Sequence, residues 1–302
     1  MKNKIKTLAI IGPTASGKSD LAIKIAQKID AYILSIDSLS IYKEIDIVSA
    51  KPSKEELESV EHFGINVLAP DEYFSVDIFI NLYKELLKKC EKDSKNLIIV
   101  GGTSFYLKSL LQGLSSLPNI THEITQSVKH ELVDIKKCHK LLSSLDPVYM
   151  KNIDSNDNYR IEKALLIYRA SNLTPTKWFE LHPPKPIIEN LDIFNIDVDR
   201  DILRKRIALR TQKMLDLGLI DEVCGLEKKY TRQPHSMGSI GIVEVFEYLD
   251  GKVTKKEMIE NISTHTAQLA KRQQTFNRTQ FTNIHEAKLE ELESIILQEL
   301  GF

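Results

Sequence analysis

The residues Gly12, Pro13, Thr14, Ala15, Ser16, Gly17, Lys18 and Ser19 run consecutively and fit the spacing GxxxxGK[ST]. That spacing makes a phosphate cradle. Successive backbone N–H groups and a helix N-terminus face the phosphate oxygens, Lys18 supplies a point charge, and the Ser19 hydroxyl offers a ligand to Mg²⁺. The chemistry requires a strand before the cradle and a helix after it. TLAIIG (7–12) is a continuous apolar run ending at glycine, and Leu21, Ala22, Ile25, Ala26 and Ile29 recur at helical spacing. The segment therefore predicts a phosphoanhydride ligand and is silent on what the phosphates are attached to.

Two further predicted strands end in polar groups. YILSID (32–37) ends at Asp37-Ser38, and LIIVGG (97–102) is followed by Thr103. In an open α/β sheet the carboxyl ends of the strands face the ligand crevice, so both should reach the cradle. Beside a bound substrate, the Asp37 carboxylate can accept a proton as a bond forms. It could equally cap a helix or support Mg²⁺, and Thr103 could simply cap the helix after the glycines.

The elements that must position these groups alternate strand and helix. After the first two strands come a possible strand near INVLA (65–69), a helix from about Val76 to Lys92 and the strand at 97–102. This order indicates βαβ units and a P-loop NTPase-like, doubly wound parallel sheet. From about Leu117 the pattern turns helical, with prolines at 175, 183, 184 and 186 marking loops, until a strand at DIFNIDVD (192–199). The expected organisation is a discontinuous core, 1–117 and 191–302, with a mainly helical insertion at 118–190. After Asp199 the remainder reads as helical.

Composition sets limits. The chain has 302 residues, 42% hydrophobic and 27% charged, so it can bury a large α/β core. Its apolar runs fall far short of the about 20 residues a membrane helix needs. Lys2, Lys4 and Lys6 precede an apolar stretch too short for a signal peptide. Cys90, Cys138 and Cys224 lack any paired spacing, which speaks against disulfides or zinc and for reduced thiols in the cytosol. With a net charge of −1, nucleic-acid binding would have to come from a local patch.

The wider context of these motifs resembles a known family. Asp37-Ser-Leu-Ser-Ile-Tyr-Lys-Glu-Ile-Asp-Ile-Val-Ser-Ala-Lys-Pro52, GPTASGKSDLA (12–22) and IIVGGTSFYLKSLLQGLS (98–115) together resemble the bacterial tRNA dimethylallyltransferases, or tRNA isopentenyltransferases. Weaker echoes follow at Met214–Val223, Ser239–Gly241 and Leu269–Gln273. The resemblance implies that the cradle holds dimethylallyl diphosphate with Mg²⁺. The exocyclic amine of the adenosine just 3′ of the anticodon would attack the allylic carbon, and pyrophosphate would leave. By position, Asp37 resembles the family's general base and Thr103 its partner near the reacting amine and leaving oxygen. The same resemblance places Asp37, Ser38, Leu39, Ser40 and Thr103 against the tRNA. The family's targets are tRNAs reading codons that start with U.

Basic residues supply further candidates. Between 200 and 213 stand Arg200, Arg204, Lys205, Arg206, Arg210 and Lys213 against one acid, Asp201. Arg210 falls inside a helical stripe of Leu203, Ile207, Met214 and Leu217, so it needs an anionic partner. That partner is either a buried carboxylate or the diphosphate, and the resemblance favours the diphosphate. A charged helix face is by itself a solvated face; with the resemblance, Tyr159, Arg160 and Lys163 in the insertion, and Lys271 and Arg278 on a polar helix face, are the expected tRNA contacts. Departures from the family's pattern fall at Ser40, Tyr159, Lys163, Ile242, Val243, Gln268 and Phe276 and bear on tRNA contacts more than on chemistry. The expected protein is a cytosolic monomer that binds tRNA and dimethylallyl diphosphate, with no membrane partner. The rival readings are an isopentenyltransferase of free adenine nucleotides and a P-loop small-molecule kinase using ATP.

Overall fold

Apolar runs that are buried on both faces pair in parallel here. The computed structural model describes residues 5–301, so Lys2 and Lys4 lie outside the described residues. Its strands are β1 (Thr7–Ile11), β2 (Ala31–Ser35), β3 (His62–Phe63), β4 (Asn96–Gly101), β5 (Asp192–Asp197) and β6 (Ile284–Lys288). They form one sheet in the order β3-β2-β4-β1-β5-β6, with every neighbouring pair parallel. β1 lies at the centre between β4 and β5, so the cradle that follows it opens at the middle of the carboxyl edge.

One face of the sheet presents Leu8, Ile10, Ile33, Ile98, Val100, Phe194 and Ile196. Against them pack the helix Lys18–Ile29, the basic helix Arg200–Asp216, the long helix Lys255–Gln280 and the final helix Leu289–Leu300. The helix Val76–Asp93, capped by Ser75, buries Phe79, Tyr83, Leu86 and Cys90 and packs on β4. A smaller core joins the segment 41–48 to the helices Leu219–Tyr230, Ile242–Leu249 and Lys255–Gln280 through Ile41, Ile45, Val48, Val223, Val245 and Ile262.

Two elements differ from the sequence reading. The strand expected at 65–69 is absent from the sheet: the N–H groups of Val67 and Leu68 both bond to the Ile41 carbonyl, and on the side away from β4 it is His62–Phe63 that pairs with β2. β6 interrupts a tail that reads as wholly helical. It is an edge strand paired only to β5, so its sequence, IHEAK, is not apolar throughout.

The chain divides into two units, Met1–Leu110 with Ile188–Phe302, and Leu111–Ile187. These bounds differ from the 117/118 and 190/191 read from the sequence. Leu110 is fully buried and its carbonyl accepts the Ile188 N–H at 3.1 Å, which ties both residues to the first unit. The second unit is helical and has its own core, built on Val128, Leu142, Met150, Ile161 and Leu165. Its helix Asn158–Ser171 carries Tyr159, Arg160 and Lys163. Among the described residues no helix is long and apolar enough to cross a membrane.

Candidate active site

The turn between β1 and the helix Lys18–Ile29 is wound for anion binding. Ala15 (φ 62°) and Gly17 (φ 92°) both take left-handed backbone conformations, which turn successive N–H groups toward one point. A positive φ at alanine is strained, and such strain concentrates at ligand sites. The Ser16 side chain is fully buried, and its Oγ has no hydrogen-bond partner among the described residues.

Lys18 points back over the turn, its Nζ donating to the Pro13 carbonyl at 3.2 Å. Burial pulls its pKa down to about 8; the Asp37 charge opposes that pull and the Arg210 charge adds to it. Arg210 sits across the cradle. Its guanidinium donates to Thr14 Oγ1 at 3.1 Å and to the Ser49 carbonyl at 3.4 Å. Burial lowers its pKa from the ordinary arginine value, and Asp37 partly restores it. From the same basic helix, Arg206 donates to the Ser16 carbonyl at 3.2 Å.

Asp37 follows β2, and no helix begins at it. Its Oδ1 accepts the N–H groups of Leu39 (2.8 Å) and Ser40 (3.1 Å), which closes a turn. Oδ2 has no hydrogen bond among the described residues. Two cavities meet at this carboxylate. The smaller, about 70 Å³, is lined by Lys18, Ser19, Ser35, Ser40 and Gly101 among others. The larger, about 300 Å³, has Leu39, Ile207, Met214, Ile240, Ile262 and Leu269 in its walls. Thr14, Asp37, Ser49 and Arg210 line both. Thr103, immediately before the helix Ser104–Gln112, lines the larger one, as do Ser38 and Gln273.

A cradle beside a chamber with apolar walls, joined at a carboxylate, agrees with what the chain is similar to. The family model described as IPP transferase matches residues 40–280. A tRNA dimethylallyltransferase of Sulfurimonas denitrificans is 70% identical over 97% of this chain and 99% of its own length. The chain belongs to the IPP transferase family. Among solved structures, the tRNA isopentenylpyrophosphate transferase of Bacillus halodurans superposes with a TM-score of 0.72 at 28% identity, covering 99% of this chain and 96% of that one. A eukaryotic dimethylallyltransferase acting on tRNA shares the fold, with a TM-score of 0.82 at 23% identity over 98% of this chain and 77% of that one.

Within this IPP transferase, the nominated residues sort into groups. Of the cradle residues 12–19, Thr14, Lys18 and Ser19 line the two joined cavities together with Asp37, Arg210 and Thr103, whereas Gly12, Pro13, Ala15, Ser16 and Gly17 form the turn behind them. Ser40 is buried on the phosphate side, whereas Ser38 and Leu39 face the larger cavity. Lys271 is exposed on a separate groove between the basic helix and the long helix. Arg278 is occupied by ion pairs with Asp197 (3.0 Å) and Glu286 (3.4 Å), so a phosphate would have to displace two carboxylates to reach it. In the helical unit, Tyr159 is 62% exposed with the Lys163 ammonium over its ring, and Arg160 pairs loosely with Asp157. The stripe that carries Arg210 is Leu203, Ile207 and Thr211; Leu217, included in it from sequence, is 60% exposed because the helix ends at Asp216.

Three polar side chains that brace the surroundings of the site escaped the sequence reading. Gln273 Oε1 accepts the Thr14 N–H at 2.8 Å. Lys51, almost wholly buried, donates to the Tyr42 carbonyl (2.6 Å), Asp46 Oδ1 (2.6 Å) and Asn66 Oδ1 (2.7 Å). Glu222 accepts three consecutive backbone N–H groups, those of Asp46, Ile47 and Val48. All three lie in the quoted family motifs, but nothing local in the sequence says what they bond to.

Proposed function

We propose that this chain transfers a dimethylallyl group from dimethylallyl diphosphate to the exocyclic amine of an adenosine in tRNA, the one 3′-adjacent to the anticodon, releasing pyrophosphate. One observation carries the reading: Thr14, Asp37, Ser49 and Arg210 line both the cradle cavity and the apolar-walled one. A diphosphate in the cradle thus has its alkyl end beside a carboxylate, in a chamber with apolar walls.

The residues divide the work. Backbone N–H groups of 15 and 17–19, with Lys18 and Arg210, hold the diphosphate and neutralise it as the allylic C–O bond breaks, the Thr14 and Ser16 N–H groups being bonded to Gln273 and Pro13. The adenine amine attacks that carbon through its lone pair, and a C–N bond forms. The proton it loses passes to Asp37 Oδ2, the oxygen that the turn leaves unbonded. Thr103 lines the larger cavity and would bond the reacting amine. The donor set suits Mg²⁺, which binds through one or two protein oxygens and the substrate's phosphates: Ser19 and Asp37 line the cradle cavity together. Bound there by Ser19, the ion would add positive charge to the leaving diphosphate.

The adenosine must leave its stack to enter the chamber. The helical unit, with its exposed Tyr159 and Arg160 beside Lys163, is the candidate platform for the anticodon stem-loop, and Lys271 is a candidate backbone contact. A free nucleotide needs no such platform. The decisive experiment offers labelled dimethylallyl diphosphate with unmodified tRNA, with AMP and alone. Label should enter tRNA only; equal transfer to AMP would overturn the tRNA reading.

A further inference from the structure

We infer that Glu222, outside both cavities, is a positioning residue that aims Arg210 at the diphosphate. The chain of contacts is continuous. Glu222, on the helix Leu219–Tyr230, accepts the N–H groups of Asp46 (3.0 Å), Ile47 (2.7 Å) and Val48 (3.0 Å). A carboxylate holding three successive N–H groups fixes that stretch of backbone as a unit. The next residue is Ser49. Its hydroxyl donates to the Ile45 carbonyl at 2.5 Å, and its own carbonyl accepts from Arg210. The other arm of the same guanidinium bonds Thr14 in the cradle.

Arg210 therefore hangs between two supports, one in the cradle and one in the segment that Glu222 holds. Its partners here are a hydroxyl and a carbonyl, both neutral, so neither satisfies its charge. They orient the guanidinium and leave the charge for an anion. Lys51 ties the same segment, through Asp46 Oδ1, to the Tyr42 carbonyl and Asn66 Oδ1. Releasing the Glu222 clamp should let Ser49 drift and Arg210 lose its direction, without touching any group that meets the substrate.

This inference rests on the diphosphate reading of the cradle, and its test separates the two. Pyrophosphate with excess Mg²⁺ is titrated into wild type, Glu222→Gln, Arg210→Gln and the double variant. Glu222→Gln keeps the size but turns an N–H donor toward backbone donors. It should weaken pyrophosphate binding by about tenfold and leave tRNA affinity unchanged. In the Arg210→Gln background the same change should cost nothing further, since its effect passes through Arg210. Additive losses, or an equal loss of tRNA affinity, would overturn the inference. Should Glu222→Gln fail to fold, Glu222→Asp, which retains the charge but withdraws it from the segment, is read in the same cycle. A wild type with no affinity for pyrophosphate would remove the diphosphate reading and this inference with it.

Discussion

Gln273 accepts the backbone N–H of Thr14 at 2.8 Å, across 259 positions of sequence. Its amide also lies over Gly102, where a Cβ would collide with Nε2. One side chain on the long helix thus touches both the cradle and the residue before Thr103, so the ends of β1 and β4 share a brace.

Gln273→Leu removes that brace at nearly constant size. The Thr14 N–H is left without its acceptor, a loss that costs about 1–3 kcal/mol when the group stays buried. Pyrophosphate affinity should fall about tenfold by titration calorimetry. Gly102→Ala should reproduce the defect by pushing the amide aside, although Gly102 is in the lining of neither cavity. Unchanged affinity in both variants would show that the brace is incidental.

The buried ammonium of Lys18 gives the cradle a pH dependence. With its pKa lowered to about 8, the free site loses this charge as pH rises through that value. An anion favours the charged form, so binding raises the pKa and takes up a proton above pH 8. The sign follows: affinity is full below about pH 7 and falls above pH 8 by roughly tenfold per pH unit until the bound-state pKa is reached. Pyrophosphate also titrates in this range, so the quantity to measure is the ratio of wild-type to Lys18→Ala affinity between pH 6.5 and about 9.5. A constant ratio would mean that Lys18 stays charged in the free enzyme.

Metal removal probes Ser19. Its hydroxyl lines the cradle cavity, where one protein oxygen and the diphosphate would hold Mg²⁺. Transfer should stop in excess EDTA and return with added Mg²⁺, and Ser19→Ala should need a higher Mg²⁺ concentration for half-maximal rate. Full turnover in EDTA would exclude the metal role.

The pattern of what sequence revealed follows from locality. β1, β2, β4 and β5 are flanked on both sides by strands or helices, so they had to be apolar runs, and they read as strands. β6 has one strand neighbour and exposes Glu286 and Lys288, which hides its period. Arg210 was legible because a charge on a stripe with Leu203 and Ile207 violates the pattern. Gln273, Lys51 and Glu222 violate nothing. Each is a polar residue whose partners are backbone atoms or distant side chains, Glu222 reaching Val48 across 174 positions. Only the folded chain brings such partners together. Arg278, expected from its polar face to contact tRNA, pairs with Asp197 and Glu286, partners that the local sequence does not show.

The proposed mechanism rests on Asp37, whose two carboxylate oxygens have different surroundings. Oδ1 closes the turn with Leu39 and Ser40, while Oδ2 has no hydrogen bond among the described residues, and Asp37 lines both cavities. Asn in place of Asp keeps an oxygen for the turn, so Asp37→Asn should fold normally and bind tRNA and diphosphate within a few fold of wild type. It presents an amide N–H₂ where Oδ2 stood and cannot take the amine's proton. Removing a general base typically lowers the rate by roughly a hundred- to ten-thousand-fold, and with substrate binding intact that loss should fall on kcat. Support of Mg²⁺ by Asp37 predicts a different pattern, a defect partly rescued by more metal. Single-turnover transfer at saturating substrates across a Mg²⁺ titration distinguishes the three. A wild-type rate leaves Asp37 as a cap, a metal-rescued rate makes it a ligand, and a low rate independent of Mg²⁺ identifies the base.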